Sequence, residues 1–178
     1  MKKFIIAFIC LFACTAWAAA GGTKKGGTKM GTLKITSPAF ADNQSIPDRY
    51  TCNGANISPP LRFENIPEKA KSLALIVDDP DAPSGIWTHW MVWNMSPRTQ
   101  ELAEKAEPRE AIVGKNDFYH NSYGGPCPPS GTHRYFFRLY ALDAVLQIAG
   151  HATRAQLEKA IQPHILEKAE LMGTYSKK

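Results

Sequence analysis

Apolar and polar positions change rhythm three times along this chain. Behind Lys2 and Lys3, Phe4 to about Thr15 is almost unbroken hydrophobic sequence, followed by small residues. From position 32 the apolar residues fall into short runs. Leu33-Lys34-Ile35-Thr36 alternates with the two-residue period of a half-buried strand. Ser72-Leu73-Ala74-Leu75-Ile76-Val77 is a continuous run stopped by Asp78-Asp79-Pro80-Asp81-Ala82-Pro83, which predicts a buried strand. Trp87 to Met95, aromatic-rich between Gly85 and Pro97, predicts another. His133 to Leu142 (HRYFFRLYAL) is the strongest strand pattern. Ala39 to Pro60, rich in Asn, Asp, Ser and Pro, reads as loops and short strands. Asn116 to Gly131, broken by Gly124-Gly125-Pro126 and Pro128-Pro129, reads as loop. Thr99 to Glu110 is polar and could hold a turn of helix.

Near the C-terminus the spacing becomes helical. Thr153 is a plausible N-cap, and Ala155, Leu157, Ala160 and Ile161 follow at helical intervals. Pro163 interrupts, Ile165 to Leu171 resumes the period, and Gly173 ends it. The prediction is a mainly β domain with one or two C-terminal helices. Strands separated by long Pro/Gly loops, without regular alternation with helices, argue against a doubly wound parallel sheet.

The first segment has the three-part layout of a secretory signal peptide: positive start, apolar centre, small-x-small ending at Ala16-Trp17-Ala18. Its apolar centre is short for crossing ~30 Å of hydrocarbon. Cleavage after Ala18 is therefore expected, giving an exported protein, periplasmic or secreted. Leu11-Phe12-Ala13-Cys14 resembles a lipobox, so lipidation at Cys14 is the weaker alternative. Residues 19–31, where Gly and Thr interleave with Lys24, Lys25 and Lys29, read as a flexible basic leader. The remaining 32–178 has the length of one domain.

This division changes the meaning of the composition. The full chain of 178 residues carries a net charge of +5. Lys2, Lys3 and the leader lysines supply most of that excess, so the basic balance describes a tail rather than a nucleic-acid groove. Of four cysteines, Cys10 and Cys14 leave with the signal segment. Cys52 and Cys127 remain, either as free thiols or as one disulfide. No C-x-x-C signals a zinc site or a redox pair.

Three segments join a strand to unusual polar residues. Asp78-Asp79-Pro80-Asp81 places three carboxylates at a strand end. His89 lies in a strand where strict alternation puts His89, Met91 and Trp93 on one face. His133 and Tyr135, at i and i+2, share a face just after Gly124-Gly125-Pro126, whose uncovered N–H groups could form an anion-binding nest.

DPDAP at 79–83, His89 in a W-x-H-W strand, and GGPCPPSGTHRYFFRLYALD at 124–143 strongly resemble the phosphatidylethanolamine-binding protein family, also called Raf kinase inhibitor-like proteins. The bacterial branch matches best, with Tyr50-Thr51-Cys52-Asn53-Gly54 and the ending from His164 to Tyr175. The resemblance implies a β-sandwich on a large central antiparallel sheet with peripheral helices. It also implies a small anion pocket at Asp79, Pro80, Asp81, His89, Gly125, Pro126, His133 and Tyr135, binding phosphate or a phospholipid head group. No catalytic residue, metal or cofactor comes with it. The expected partners are that anion and a target protein such as a kinase or protease, with the chain a monomer or homodimer. The resemblance also brings the Cys52 loop near the pocket loop, which favours a Cys52–Cys127 disulfide.

Carboxylates repel phosphate, so Asp79 and Asp81 cannot simply be anion ligands. Either a carboxylate supports imidazolium, which then holds the anion, or it meets the ammonium of a zwitterion such as phosphoethanolamine. Two enzymatic alternatives use the same cluster: a hydrolase with Ser130 as nucleophile, which lacks a G-x-S-x-G elbow, and a metal enzyme built on Asp79, Asp81, His89 and His133.

Overall fold

The computed structural model describes residues 31–178 together with Met1. The predicted signal segment, the lipobox at Cys14 and the leader up to residue 30 lie outside the described residues.

The chain order is β1 (Lys34–Thr36), β2 (Gln44–Ser45), β3 (Leu61–Glu64), β4 (Ser72–Asp79), β5 (Trp87–Met95), β6 (Glu101–Leu102), β7 (Ile112–Val113), β8 (Thr132–Leu142), α1 (Arg154–Ile161) and β9 (Ile165–Ser176). Six strands form the main sheet in the order β2-β9-β8-β4-β5-β7. All its pairings are antiparallel except β2 with β9, which is parallel. The strands β1-β3-β6 form a small second sheet.

The continuous apolar run of β4 now has its reason: all eight residues are buried because both sheet faces are covered. On one face Leu73, Leu75 and Val77 meet Phe137 and Leu139 of β8 and the small sheet's Ile35, Leu61 and Phe63. On the other, Ala74 and Ile76 join Met91, Trp93, Leu157 and Ile161 beneath α1. The helix starts as the sequence predicts. Thr153 Oγ1 accepts from Gln156 N, and the Gln156 side chain accepts from Thr153 N, a reciprocal cap.

Two local expectations fail. Thr99 to Glu110 forms β6 and turns instead of a turn of helix. Ile165 to Leu171 is not a second helix but the first half of β9, the C-terminal strand. Its spacing suits either structure over so short a stretch, and eleven residue pairs with β8 decide it. Gly173 ends no helix. It sits opposite Tyr135 in the ladder, and a Cβ there would come within 2.5 Å of Ile46 Cγ1. The glycine lets the β2 segment lie against the sheet. Among the described residues no helix is long and apolar enough to cross a membrane.

Candidate functional site

Alternation along β4 separates two adjacent carboxylates. Asp78, fully buried, turns to the α1 side and pairs with Arg138 and with Arg154 at 2.9 Å. Asp79, 3% exposed, turns to the opposite face with Val77. There Asp79 Oδ2 lies 2.7 Å from His133 Nδ1, while Asp79 Oδ1 accepts from Asp81 N at 2.8 Å. Both carboxylate oxygens therefore have donors, and the Asp79–His133 pair is formed.

His89 reaches the same place through a register shift. Val77 pairs with Trp90 but Asp78 pairs with Thr88, which leaves His89 as the extra residue of a β-bulge. The bulge turns His89 away from the face of Met91 and Trp93, with which strict alternation grouped it. Its ring instead packs edge-on to Tyr135, centroids 5.2 Å apart, and to Phe118 at 5.3 Å. His89 Nδ1 lies 2.7 Å from Gly124 O. A carbonyl only accepts, so Nδ1 carries the hydrogen and Nε2 is the nitrogen left for a ligand. Burial pushes the His89 pKa down, opposed by the Gly124 carbonyl and the Asp79 charge. The ring is thereby biased towards its neutral form.

The glycine nest does not form. Gly124 N donates to His89 O at 2.9 Å and Gly125 N donates to Asn56 Oδ1 at 2.7 Å, so both N–H groups are taken. Gly125 is glycine for close approach: a Cβ there would lie 2.4 Å from Tyr50 O. Pro126 is buried, and its carbonyl accepts from Cys52 N at 3.1 Å. Asp81 is held by Arg134, whose Nη2 reaches Oδ1 at 2.7 Å and whose Nε and backbone N both reach Oδ2 at 2.9 Å. That guanidinium lowers its pKa to about 2.

Asp79, His89 and His133 meet at a cavity of about 280 Å³. Asp81, Gly125, Pro126 and Tyr135 surround it rather than line it. The Tyr135 hydroxyl is buried beside Asp79 and the Cys127 backbone but closes a hydrogen bond with neither. Burial, then the Asp79 charge, raises its pKa. The remaining walls are largely apolar: Trp87 and Phe118, edge-on with centroids 5.4 Å apart, then Ala82, Pro83, Cys127 and Pro129, with Ser84 at the edge. Trp87 Nε1 is buried without a protein partner. Ser130 is exposed and is not among these walls. A larger open groove of about 760 Å³ runs between Arg62 and Glu101, but its walls carry no histidine and mix both charge signs.

Sequence reading missed Trp87, Phe118 and Asn116. Asn116 is 3% exposed and fully engaged. Its Oδ1 accepts from Phe118 N and His120 N, and its Nδ2 donates to His89 O and Ser122 O. It thus ties the wall-bearing loop to the bulge. An Asn two residues after Gly114 in a loop was the only local signal. Cys52 and Cys127 form a disulfide, Cα atoms 5.4 Å apart, joining that loop to the 52–56 turn.

A family model described as "Phosphatidylethanolamine-binding protein" matches residues 36–176. A UPF0098 protein of Chlamydia pneumoniae is 52% identical over 150 residues, covering 82% of this chain and 99% of its own. A UPF0098 protein of Methanothermobacter thermautotrophicus is 49% identical over 148 residues, covering 80% of this chain and 98% of its own. The crystal structure of a phosphatidylethanolamine-binding protein homologue from Chlamydia trachomatis superposes with a TM-score of 0.79 at 47% identity, covering 83% of this chain and 99% of that one. E. coli YbcL, described as a new member of the mammalian PEBP family, gives 0.78 at 29% identity, covering 83% and 100%.

Proposed function

This chain belongs to the phosphatidylethanolamine-binding protein family, and we propose that it is an exported binding module whose Asp79–His89–His133 cavity takes a small oxyanion, phosphate or a phosphate head group. The observation that carries the reading is the buried 2.7 Å contact between Asp79 Oδ2 and His133 Nδ1 in the cavity wall. A carboxylate on Nδ1 favours imidazolium, whose Nε2–H then makes a charge-assisted hydrogen bond to an anion. Once formed, that imidazolium offsets the repulsion a free carboxylate would exert.

His89 plays a different part. As a neutral ring its Nε2 accepts, so it receives the O–H of a monoprotonated phosphate or gains a proton as the anion binds. The second route takes up a proton, so along it affinity falls as pH rises. The apolar walls suit the ester carbon of a head group. Binding without turnover is the proposed role, with a target protein as a second partner and export by the N-terminal segment.

Calorimetry with inorganic phosphate and with phosphoethanolamine, across pH 5.5 to 8, tests the cavity. Binding that weakens with pH, and falls about tenfold or more in His133→Ala, supports it. Asp79→Asn should also weaken phosphate binding. Simple charge repulsion predicts the opposite sign, so tighter binding in that variant would refute the assignment. Intact-mass analysis of exported protein, starting near Ala19, tests the processing route.

A further inference from the structure

We propose that the Cys52–Cys127 disulfide is a dithiol-reducible clasp on the cavity wall, coupling the redox state of the surroundings to occupancy of the cavity. The inference rests on the reading of that cavity as a binding site. Three observations carry it.

The first is position. Cys127 lines the cavity, between Pro126 and Pro128, while Cys52 lies in the exposed 52–56 turn. The bond therefore joins the wall that carries Pro129 to a turn at the surface. The second is exposure. Both cysteines are exposed, and neither belongs to the two buried apolar clusters. A thiolate from solution can thus approach without opening the core, and exposed disulfides are the labile ones. The third is redundancy. The two segments also meet through Cys52 N to Pro126 O at 3.1 Å, Gly125 N to Asn56 Oδ1 at 2.7 Å and Tyr123 OH to Tyr50 O at 3.0 Å. These contacts keep the loop in register once the bond is gone. Reduction then loosens the outer end of the wall, at 127–129, and leaves the sandwich intact.

The exchange follows ordinary thiol chemistry. A thiolate of the reductant bonds to one of the two sulfurs as the Cys52–Cys127 bond breaks. The reductant's second thiol then displaces that sulfur. Two electrons and two protons pass to the chain, which ends with two thiols, and the reductant leaves as its disulfide.

Binding costs more when the wall must be ordered first. Ordering about one loop residue corresponds to roughly tenfold in affinity. Linkage makes the effect reciprocal, so bound phosphate should resist reduction by the same factor.

The experiment uses the mature protein with dithiothreitol as reductant and inorganic phosphate as ligand. Carbon NMR order parameters at 127–129 should fall on reduction, while hydrogen exchange at Gly124, Gly125 and 154–176 stays unchanged. Phosphate should bind the reduced form about tenfold more weakly, and saturating phosphate should shift the dithiothreitol equilibrium towards the disulfide by the same factor. Equal order parameters at 127–129 in both forms, or a bond that persists in excess dithiothreitol until the protein unfolds, overturns the clasp. Equal phosphate affinity in both forms overturns the coupling. If phosphate binds neither form, the cavity reading falls and the order parameters alone decide the clasp. A Cys52→Ser/Cys127→Ser variant should reproduce the reduced form without reductant.

Discussion

Asp78 and Asp79 are neighbours in sequence with separate work, and replacing each in turn distinguishes packing from binding. Asp78→Ala removes a fully buried carboxylate that accepts from Arg138 and from Arg154. Breaking a buried ion pair from one side costs about 3–5 kcal/mol, because a desolvated charge is stranded. Here the cost falls at the low end. Arg138 keeps Glu170 at 2.9 Å and Arg154 keeps Glu158 at 2.7 Å, and both arginines retain some access to water. A loss of about 3 kcal/mol is expected, which at a urea m-value of about 2 kcal/mol/M moves the midpoint down by about 1.5 M. Phosphate affinity, read by calorimetry on the folded variant, should stay within about twofold, since Asp78 faces α1 and not the cavity. Asp79→Asn should do the reverse, losing phosphate affinity with a smaller shift in midpoint. Adding Arg154→Met to Asp78→Ala should recover part of the lost stability, because one stranded cation is gone. A midpoint shift below about 0.5 M, or a phosphate defect in Asp78→Ala as large as in Asp79→Asn, would refute this division of labour.

Stability should also fall on mild acidification. Burial depresses the His89 pKa, so the unfolded chain binds the extra proton first. The contribution is complete above about pH 6.5 and is lost as pH falls through the lower folded value. Urea midpoints at pH 7.5 and 5.5 should differ less in His89→Gln than in the native protein, and an unchanged difference would place the acid sensitivity elsewhere. Asn116→Ala strips four hydrogen bonds from a buried amide and should cost about 2–3 kcal/mol in urea titration, with weaker phosphate binding as Phe118 loses its anchor. A loss under about 0.5 kcal/mol would mean that the loop holds its shape without the amide.

Some features of this protein are local and can be read from a few neighbouring side chains. The runs Ser72–Val77, Trp87–Met95 and His133–Leu142 are long and apolar enough to be strands in any plausible fold. The Thr153 cap needs only Gln156, three residues on. His133 and Tyr135 share a face by alternation alone. Motif order across the domain was enough to point to the family.

Other features depend on partners distant in sequence. Ile165 to Leu171 suits a helix by spacing, and only pairing with β8 makes it a strand. The nest at Gly124-Gly125 failed because Gly125 N meets Asn56, 69 residues away. His89 faces the cavity because of one extra residue between two pairings with β4, and a bulge leaves no mark on a pattern of period two. Asp79 and His133, 54 residues apart, become a pair only when β4 and β8 fall into register. Local sequence sets which segments extend and which residues alternate. Register, bulges and the assignment of each N–H to its acceptor are settled by the assembled sheet, where every buried polar group must find a partner at once.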